Sequence, residues 1–114
     1  MAYRVKITSS AEDDAYTAYE YIHQFSPDKA NIWFRELFDA IFSLDEMPTR
    51  CPLIVEADEI GLPIRHHLYG KRGGTYRIIF DIRELAEGGP TVRVLRIWHG
   101  SRDRLRIADI LIDE

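Results

Sequence analysis

The sequence predicts an α+β fold in which two helices precede a small antiparallel sheet. Residues 3–7 alternate apolar and polar side chains, as half-buried strands do. Residues 9–47 place apolar side chains at helical spacing on both sides of a Ser-Pro pair. Residues 62–99 contain three runs rich in β-branched residues, separated by glycine-containing turns. The predicted order of elements is therefore β-α-α-β-β-β.

Two helix starts are predicted from capping chemistry. The first helix is expected to begin at Ser9, because Glu12 follows three residues later with the spacing of a capping box. The second would be capped by Ser26, with Pro27 at its first position, and would end before Pro48. The link between the helices is short, so they are expected to form an antiparallel hairpin. Its first helix has a stripe of small and apolar residues, Ala11, Ala15, Ala18 and Ile22.

The second half of the chain is predicted to form the sheet. Residues 48–61 contain prolines and a glycine without periodicity, which indicates a loop. The strands that follow are predicted at residues 62–68, 75–83 and 91–99, and the last is apolar on both faces, as a central strand is. An antiparallel meander with the helical hairpin packed on one face is the simplest arrangement. The first strand would join this sheet at an edge or in the centre, and a short helix or turn would follow Gly100.

Composition indicates a single globular domain over residues 1–114. Hydrophobic residues make up 46% of the chain and charged residues 30%, as in ordinary globular proteins. No apolar run approaches the roughly 20 residues that a membrane span needs, and the first residues lack the apolar core of a secretory signal. Cys51 is the single cysteine, which excludes an internal disulfide and fits a reducing compartment. We therefore expect a cytoplasmic protein without membrane association.

Charge is unevenly distributed along the chain. The net charge is −4, but residues 1–60 carry five Lys/Arg against twelve Asp/Glu, whereas residues 61–114 carry ten against seven. A protein that binds nucleic acid tightly by itself usually has a basic field over a whole face. The sequence instead predicts a local basic patch on an acidic body. This weakens the interpretation that the protein binds nucleic acid tightly by itself, without excluding it.

No metal or cofactor site is predicted. His66 and His67 are neighbours, so on a strand they point to opposite faces, and His23 and His99 have no partner at ligand spacing. The chain also lacks a dinucleotide-binding glycine motif, a P-loop and a nucleophile elbow. The expected function therefore uses no metal and no cofactor.

The candidate chemistry lies in basic residues near the strand ends. Arginine offers planar, bidentate donors to phosphate oxygens, and an imidazole can exchange a proton near neutral pH. Arg77, His99 and Arg102 are the candidate catalytic residues if the protein cleaves RNA. Candidate contacts to phosphate or to another target are Arg65, Lys71 and Arg72.

Each of these residues also has a structural interpretation. Arg77 and Arg102 would pair with the acidic helices, and His99 would hold a strand end by hydrogen bonds. Arg93 and Arg96 are expected to be solvated or bound to the chain's own acids. The sequence leaves both interpretations open.

Several motifs together resemble the RelE/ParE superfamily, the toxins of bacterial type II toxin–antitoxin pairs. The similarity lies in their order and spacing: Ser-Pro-x-x-Ala at residues 26–30, Leu44-x-x-x-Pro48, Ile64-Arg65, and the runs at residues 76–80 and 94–102. The resemblance implies the same β-α-α-β-β-β fold. It also implies a cognate antitoxin that wraps the toxin and neutralises it.

The resemblance is closer to the ParE branch, which implies DNA gyrase as the target. The RelE branch implies a ribosome-dependent mRNA endonuclease, with Arg77 and Arg102 at the positions of the family's two arginines. The catalytic tyrosine of RelE proteins would fall near Ala108, so it is missing. A third possibility is an inactive domain whose ligand is the antitoxin alone.

The antitoxin is expected to lay an apolar segment and acidic residues on the sheet edge and the helical hairpin. It would also cover exposed apolar residues near the C-terminus, unless a homodimer covers them instead. The partner would then be held in a toxin–antitoxin hetero-oligomer. The residues predicted for this contact are Leu105, Ile107, Leu111 and Ile112.

Overall fold

The computed structural model describes residues 2–70, 74–102 and 104–110. The two long helices are α1 (Ser9–His23) and α2 (Pro27–Phe42), and two short ones are α3 (Ala57–Ile60) and α4 (Ile107–Ile110). The strands are β1 (Arg4–Ile7), β2 (Arg65–Tyr69), β3 (Tyr76–Arg83) and β4 (Thr91–His99). The predicted α+β class and the order of the long elements are confirmed.

The four strands form one mixed sheet in the order β1-β4-β3-β2. The pairs β2–β3 and β3–β4 are antiparallel, so the predicted meander is confirmed. β1 lies at the edge and runs parallel to β4. The connection through both helices carries the chain from β1 to β2 at the other edge, and the antiparallel meander then brings β4 back beside β1. β4 is therefore a central strand, as its two apolar faces predicted.

Apolar side chains cover both faces of the sheet. On the helical face, α1 and α2 pack on the sheet through a buried cluster that includes Ala11, Ala15, Leu37, Ile41, Ile78, Phe80, Val92, Val94 and Ile97. On the opposite face, α3, α4 and their flanking segments build a second cluster that includes Ile54, Ile64, Ile79, Leu95, Trp98, Leu105 and Ile110. The sheet is thus the middle layer of the protein.

A β-bulge in β4 distributes its side chains between these two clusters. Ile79 pairs with Arg96, whereas the next residue, Phe80, pairs with Val94, so Leu95 is the extra residue. The bulge shifts the alternation of side chains along β4. Leu95 and Trp98 consequently share the opposite face, although an odd number of steps separates them.

Two predicted boundaries in the middle of the chain are wrong. The expected loop at residues 48–61 contains a short 3-10 turn at Pro48–Arg50 and helix α3, which ends at Gly61 with a positive φ of 79°. The strand predicted to begin at residue 62 begins at Arg65. The reason is that Ile64 is held outside the sheet, where its carbonyl accepts a hydrogen bond from the Ile54 N–H at 2.9 Å.

The N-cap of α1 is Thr8 rather than Ser9, so the predicted capping box is wrong by one residue. The Thr8 hydroxyl accepts from the Ala11 N–H at 3.2 Å and donates to the Leu95 carbonyl at 3.1 Å. Thr8 also keeps the extended backbone of β1, because its N–H donates to the Val94 carbonyl. That conformation is the one that an N-cap requires. The cap of α2 by Ser26, with Pro27 at the first position, is confirmed.

Thr8→Ala is expected to lower the free energy of unfolding by about 1 to 2 kcal/mol, because it removes a helix cap and a buried hydrogen bond to β4. Ser9→Ala is the matched control, since Ser9 is exposed, and its effect should stay within about 0.5 kcal/mol. Urea denaturation followed by circular dichroism measures both. Equal losses in the two variants would contradict the assignment of the cap.

Candidate functional site

The three residues predicted as catalytic lie around the ends of β3 and β4, but on two faces of the sheet. Tyr76 pairs with His99, and Arg77 pairs with Trp98. Because successive strand residues point to opposite faces, Arg77 and Tyr76 face away from each other. Tyr76 packs against the helical-face cluster, and Trp98 belongs to the opposite one. The structure therefore separates Arg77 from His99.

His99 and Arg102 line one cavity, which we call the His99 pocket. It lies between α1 and the ends of β3 and β4 and has a volume of about 470 Å³. Its lining combines aromatic, apolar and polar side chains: Asp14, Thr17, Ala18, Tyr21, Tyr76, Ile97, His99, Ser101 and Arg102. The sequence did not indicate that α1 contributes to this pocket, because Tyr21 is distant from His99 along the chain.

Hydrogen bonds to Ser101 determine the orientation of His99. The Ser101 backbone N–H donates to His99 Nδ1 at 3.0 Å, and the Ser101 hydroxyl lies 2.6 Å from the same nitrogen. A backbone N–H can only donate, so Nδ1 is an acceptor and we assign the proton of the neutral ring to Nε2. The Tyr76 ring packs edge-on against the imidazole, with centroids 4.8 Å apart. Burial raises the pKa of Tyr76, so its phenol stays protonated at neutral pH.

Arg102 is held by an aromatic ring instead of a carboxylate. Its guanidinium carbon lies 3.7 Å from the centre of the Trp98 ring, which is a cation–π contact. Among the residues that the structure describes, it forms no ion pair. Arg93 and Arg96 differ, because each makes two hydrogen bonds to a carboxylate, that of Asp81 and that of Asp14. The interpretation that these two arginines bind the chain's own acids is confirmed.

Arg77 lies in a buried ion pair on the opposite face. Its two terminal nitrogens donate to the two Glu56 oxygens at 3.0 and 2.9 Å, and the Leu105 N–H donates to the same carboxylate at 3.0 Å. The hydrogen bonds from Arg77 lower the pKa of Glu56 to about 2. The pair therefore ties β3 to α3 and to the C-terminal segment. A catalytic role for Arg77 stays a prediction, and it would require this pair to open.

The predicted phosphate contacts are only partly visible. Arg65 donates to the backbone carbonyls of Cys51 and Thr49 at 2.6 and 3.4 Å, so its side chain holds the 3-10 turn at Pro48–Arg50. Lys71 and Arg72 lie outside the described residues. A role of these three side chains in binding a target stays a prediction.

The apolar residues predicted to contact the antitoxin differ in their exposure. Leu105 is only 2% exposed and belongs to the opposite-face cluster, so its expected exposure is wrong. The reason is that Glu56 binds its backbone N–H and holds the segment against α3. Ile107 is 49% exposed, as expected. Leu111 and Ile112 lie outside the described residues, and the contact itself stays a prediction.

Three further titratable residues, Cys51, His66 and His67, lie outside the His99 pocket. His66 pairs with Ile79 and His67 with Ile78, so they face opposite sides of the sheet as predicted, and burial lowers the pKa of both. Burial also raises the pKa of the Cys51 thiol, which keeps it protonated. Within residues 2–70, 74–102 and 104–110, no group of three His, Cys, Asp or Glu side chains could hold a metal ion.

Sequence reasoning missed Glu56 and Asp14, the two carboxylates that organise the arginines near the site. Glu56 stands between Val55 and Ala57, and an acid within an apolar stretch was the available signal. Asp14 carried no such signal, because it lies in an acidic run at the start of α1, where acids are ordinary.

Comparison with known proteins identifies the family. The model described as "ParE toxin of type II toxin-antitoxin system, parDE" matches residues 5–104, which include both long helices, β2, β3, β4 and the His99 pocket. No curated protein matches the chain. In the described ranges, none of the helices combines the length and the apolar character that crossing a membrane requires. The chain belongs to the ParE toxin family of type II toxin–antitoxin systems.

Proposed function

We propose that this protein arrests bacterial growth by binding DNA gyrase in the cytoplasm and that a cognate antitoxin neutralises it. The observation that carries the proposal is the family match over residues 5–104. It extends through nearly the whole described fold and includes the strand ends where the exposed basic residue Arg102 lies.

The geometry favours a toxin that binds its target over one that cleaves RNA. Cleavage of a phosphodiester needs cationic donors and a proton carrier around the same phosphate. Here Arg77 faces away from His99, and its terminal nitrogens donate to Glu56. The three candidate catalytic residues therefore do not meet in one pocket: His99 and Arg102 do, and Arg77 lies apart from them. A surface that only binds its target does not require all three to meet.

Inhibition of gyrase by the purified chain tests this proposal. We expect ATP-dependent supercoiling of a relaxed plasmid to fall as the chain is added, and to recover when the cognate antitoxin is added in equal amount. The same preparation should leave mRNA intact in a translating ribosome reaction, assayed by mapping the 5′ ends of the message. A thermally unfolded sample of the chain is the control for non-specific effects.

The alternatives give different results in the same two assays. Cleaved mRNA with unchanged supercoiling would replace the proposal with the endonuclease function. If a folded chain changed neither assay and did not slow growth on induction in a bacterial host, the inactive interaction domain would be favoured.

A further inference from the structure

The charge of Arg102 sets it apart from the arginines around it. Arg77, Arg93 and Arg96 each donate to both oxygens of a carboxylate within the fold. Arg102 is exposed and packs on the face of Trp98, which holds the guanidinium over the ring but leaves its charge unneutralised by any described acid. A positioned guanidinium of this kind is suited to bind an anion through two parallel hydrogen bonds.

Other groups in the His99 pocket indicate the chemical character of the rest of the ligand. The Nδ1 atom of His99 is occupied by Ser101, which leaves the Nε2–H as a donor, and the Tyr76 phenol remains protonated. Ala18 and Ile97 add apolar walls, and Tyr21 is 62% exposed at the rim. The fitting ligand therefore has one anionic group beside an apolar one.

The surface beside the pocket is also apolar. Tyr21 forms an edge-to-face pair with Phe25, with centroids 5.3 Å apart, and Phe25 is itself largely exposed. This aromatic pair continues from the pocket along α1 to the tip of the helical hairpin. A partner segment with further apolar side chains would cover it.

The charge around the pocket disfavours a polyanion. α1 carries the exposed acids Asp13 and Glu20 near the pocket, and the whole chain has a net charge of −4. Asp14 lines the pocket, but Arg96 neutralises it. A nucleic-acid backbone needs several cations for tight binding, whereas one carboxylate on an apolar segment needs only one.

We propose that the His99 pocket binds a single Asp or Glu side chain of the antitoxin, with the carboxylate on the Arg102 guanidinium and flanking apolar side chains on Tyr21 and Phe25. This assignment rests on the proposed neutralisation by an antitoxin, and it adds the site and the chemistry of the contact.

The first experiment tests the chemistry of the pocket without the antitoxin. The full chain is titrated with 3-phenylpropionate, a carboxylate on an aromatic group, and followed by NMR at the amides of Tyr76, His99 and Ser101. We expect saturable shifts with a dissociation constant on the order of a millimolar, as is usual for a ligand of this size. The uncharged amide of the same acid should bind at least about tenfold more weakly, because it lacks the charge.

Variants of the arginines locate the binding. Arg102→Gln should weaken 3-phenylpropionate binding by at least about tenfold, because it removes the positive charge and the charge-assisted hydrogen bonds of the guanidinium. Arg104→Gln is the matched control, since Arg104 is exposed, pairs with Glu59 and does not line the pocket. Unchanged amide spectra away from the site show that each variant folds. Equal affinity of Arg102→Gln and the parent, or tighter binding of inorganic phosphate than of the carboxylate, would overturn the assignment.

The second experiment uses the cognate antitoxin. Arg102→Glu is expected to weaken its binding by at least about tenfold, and changing one antitoxin acid to Lys should restore it in that variant alone. Full-strength binding by Arg102→Glu would overturn the inference and leave the proposed neutralisation intact. An antitoxin that fails to bind even the parent would instead refute the proposed neutralisation, and the titration with 3-phenylpropionate would still test the pocket.

Discussion

Replacing Glu56 by Gln is expected to lower the free energy of unfolding by roughly 3 to 5 kcal/mol, because it leaves the Arg77 guanidinium partly buried without its counter-charge. The Glu56 side chain is 2% exposed, and it receives two hydrogen bonds from Arg77 and one from the Leu105 N–H. The loss should therefore include the anchoring of the C-terminal segment to α3. Urea denaturation monitored by tryptophan fluorescence measures it, since Trp98 lies in the same cluster as Leu105.

The matched control is Glu59→Gln. Glu59 lies on α3, close to Glu56, and pairs with Arg104, but both side chains of that pair are exposed. Exposed pairs contribute about 1 kcal/mol or less, so this variant should be nearly as stable as the parent. If the two variants lost the same stability, the ion pair of Glu56 would not be the structural element that we describe.

The Glu56 pair also predicts how stability changes with pH. The pKa of Glu56 is lowered to about 2 in the folded protein, below the unfolded value of about 4.3. A group whose pKa is depressed by folding contributes stability above its unfolded pKa, and the contribution is lost as the pH falls towards its folded pKa. The difference in stability between the parent and Glu56→Gln should thus be constant near neutral pH and shrink from about pH 5 towards pH 2. A difference that grew with acidification would contradict this.

The parts of the fold that were predictable depend on local patterns. Helical spacing around Ser26 and Pro27, and the apolar β4 run, indicated the hairpin and the central strand because each signal lies within one element. The bulge at Leu95 gave no signal, since a strand that is apolar on both faces has no alternation to interrupt. Thr8 and Ser9 are both able to cap a helix, and the pairing of β1 with β4 decided between them.

The candidate site was predictable to a smaller extent, because only some of its residues are close to each other in the sequence. His99 and Arg102 are close in sequence, so a common location followed from the strand end. Alternation along β3 puts Arg77 and Tyr76 on different faces of the sheet. The partner of Arg77, however, is Glu56, and the two residues are brought together only by the packing of α3 on the sheet. Pairing between distant segments is a property of the tertiary structure, and one sequence carries little information about it.

Asp14→Asn is the second substitution with a large expected effect, a loss of about 3 kcal/mol in the free energy of unfolding. The Asp14 carboxylate accepts from Arg96 at 2.7 and 2.9 Å and from the Ile97 N–H at 3.0 Å, so it joins α1 to β4. Arg96 in turn donates to the Asp109 carbonyl in α4. Asparagine would keep the shape but lose the charge that balances Arg96. Asp13→Asn is the control, because Asp13 is an exposed acid on the same helix.

The same substitution would separate stability from function at the His99 pocket. Asp14 lines that pocket, and its charge is balanced by Arg96, so in the parent Arg102 is a cation of the pocket that no described acid neutralises. Asp14→Asn would release the charge of Arg96 beside the pocket, which should tighten carboxylate binding even as the fold becomes less stable. A purely structural role of Asp14 would weaken binding together with stability. Measuring 3-phenylpropionate affinity and the free energy of unfolding on the same samples of Asp14→Asn and Asp13→Asn distinguishes the two cases, since only an electrostatic contribution moves them in opposite directions.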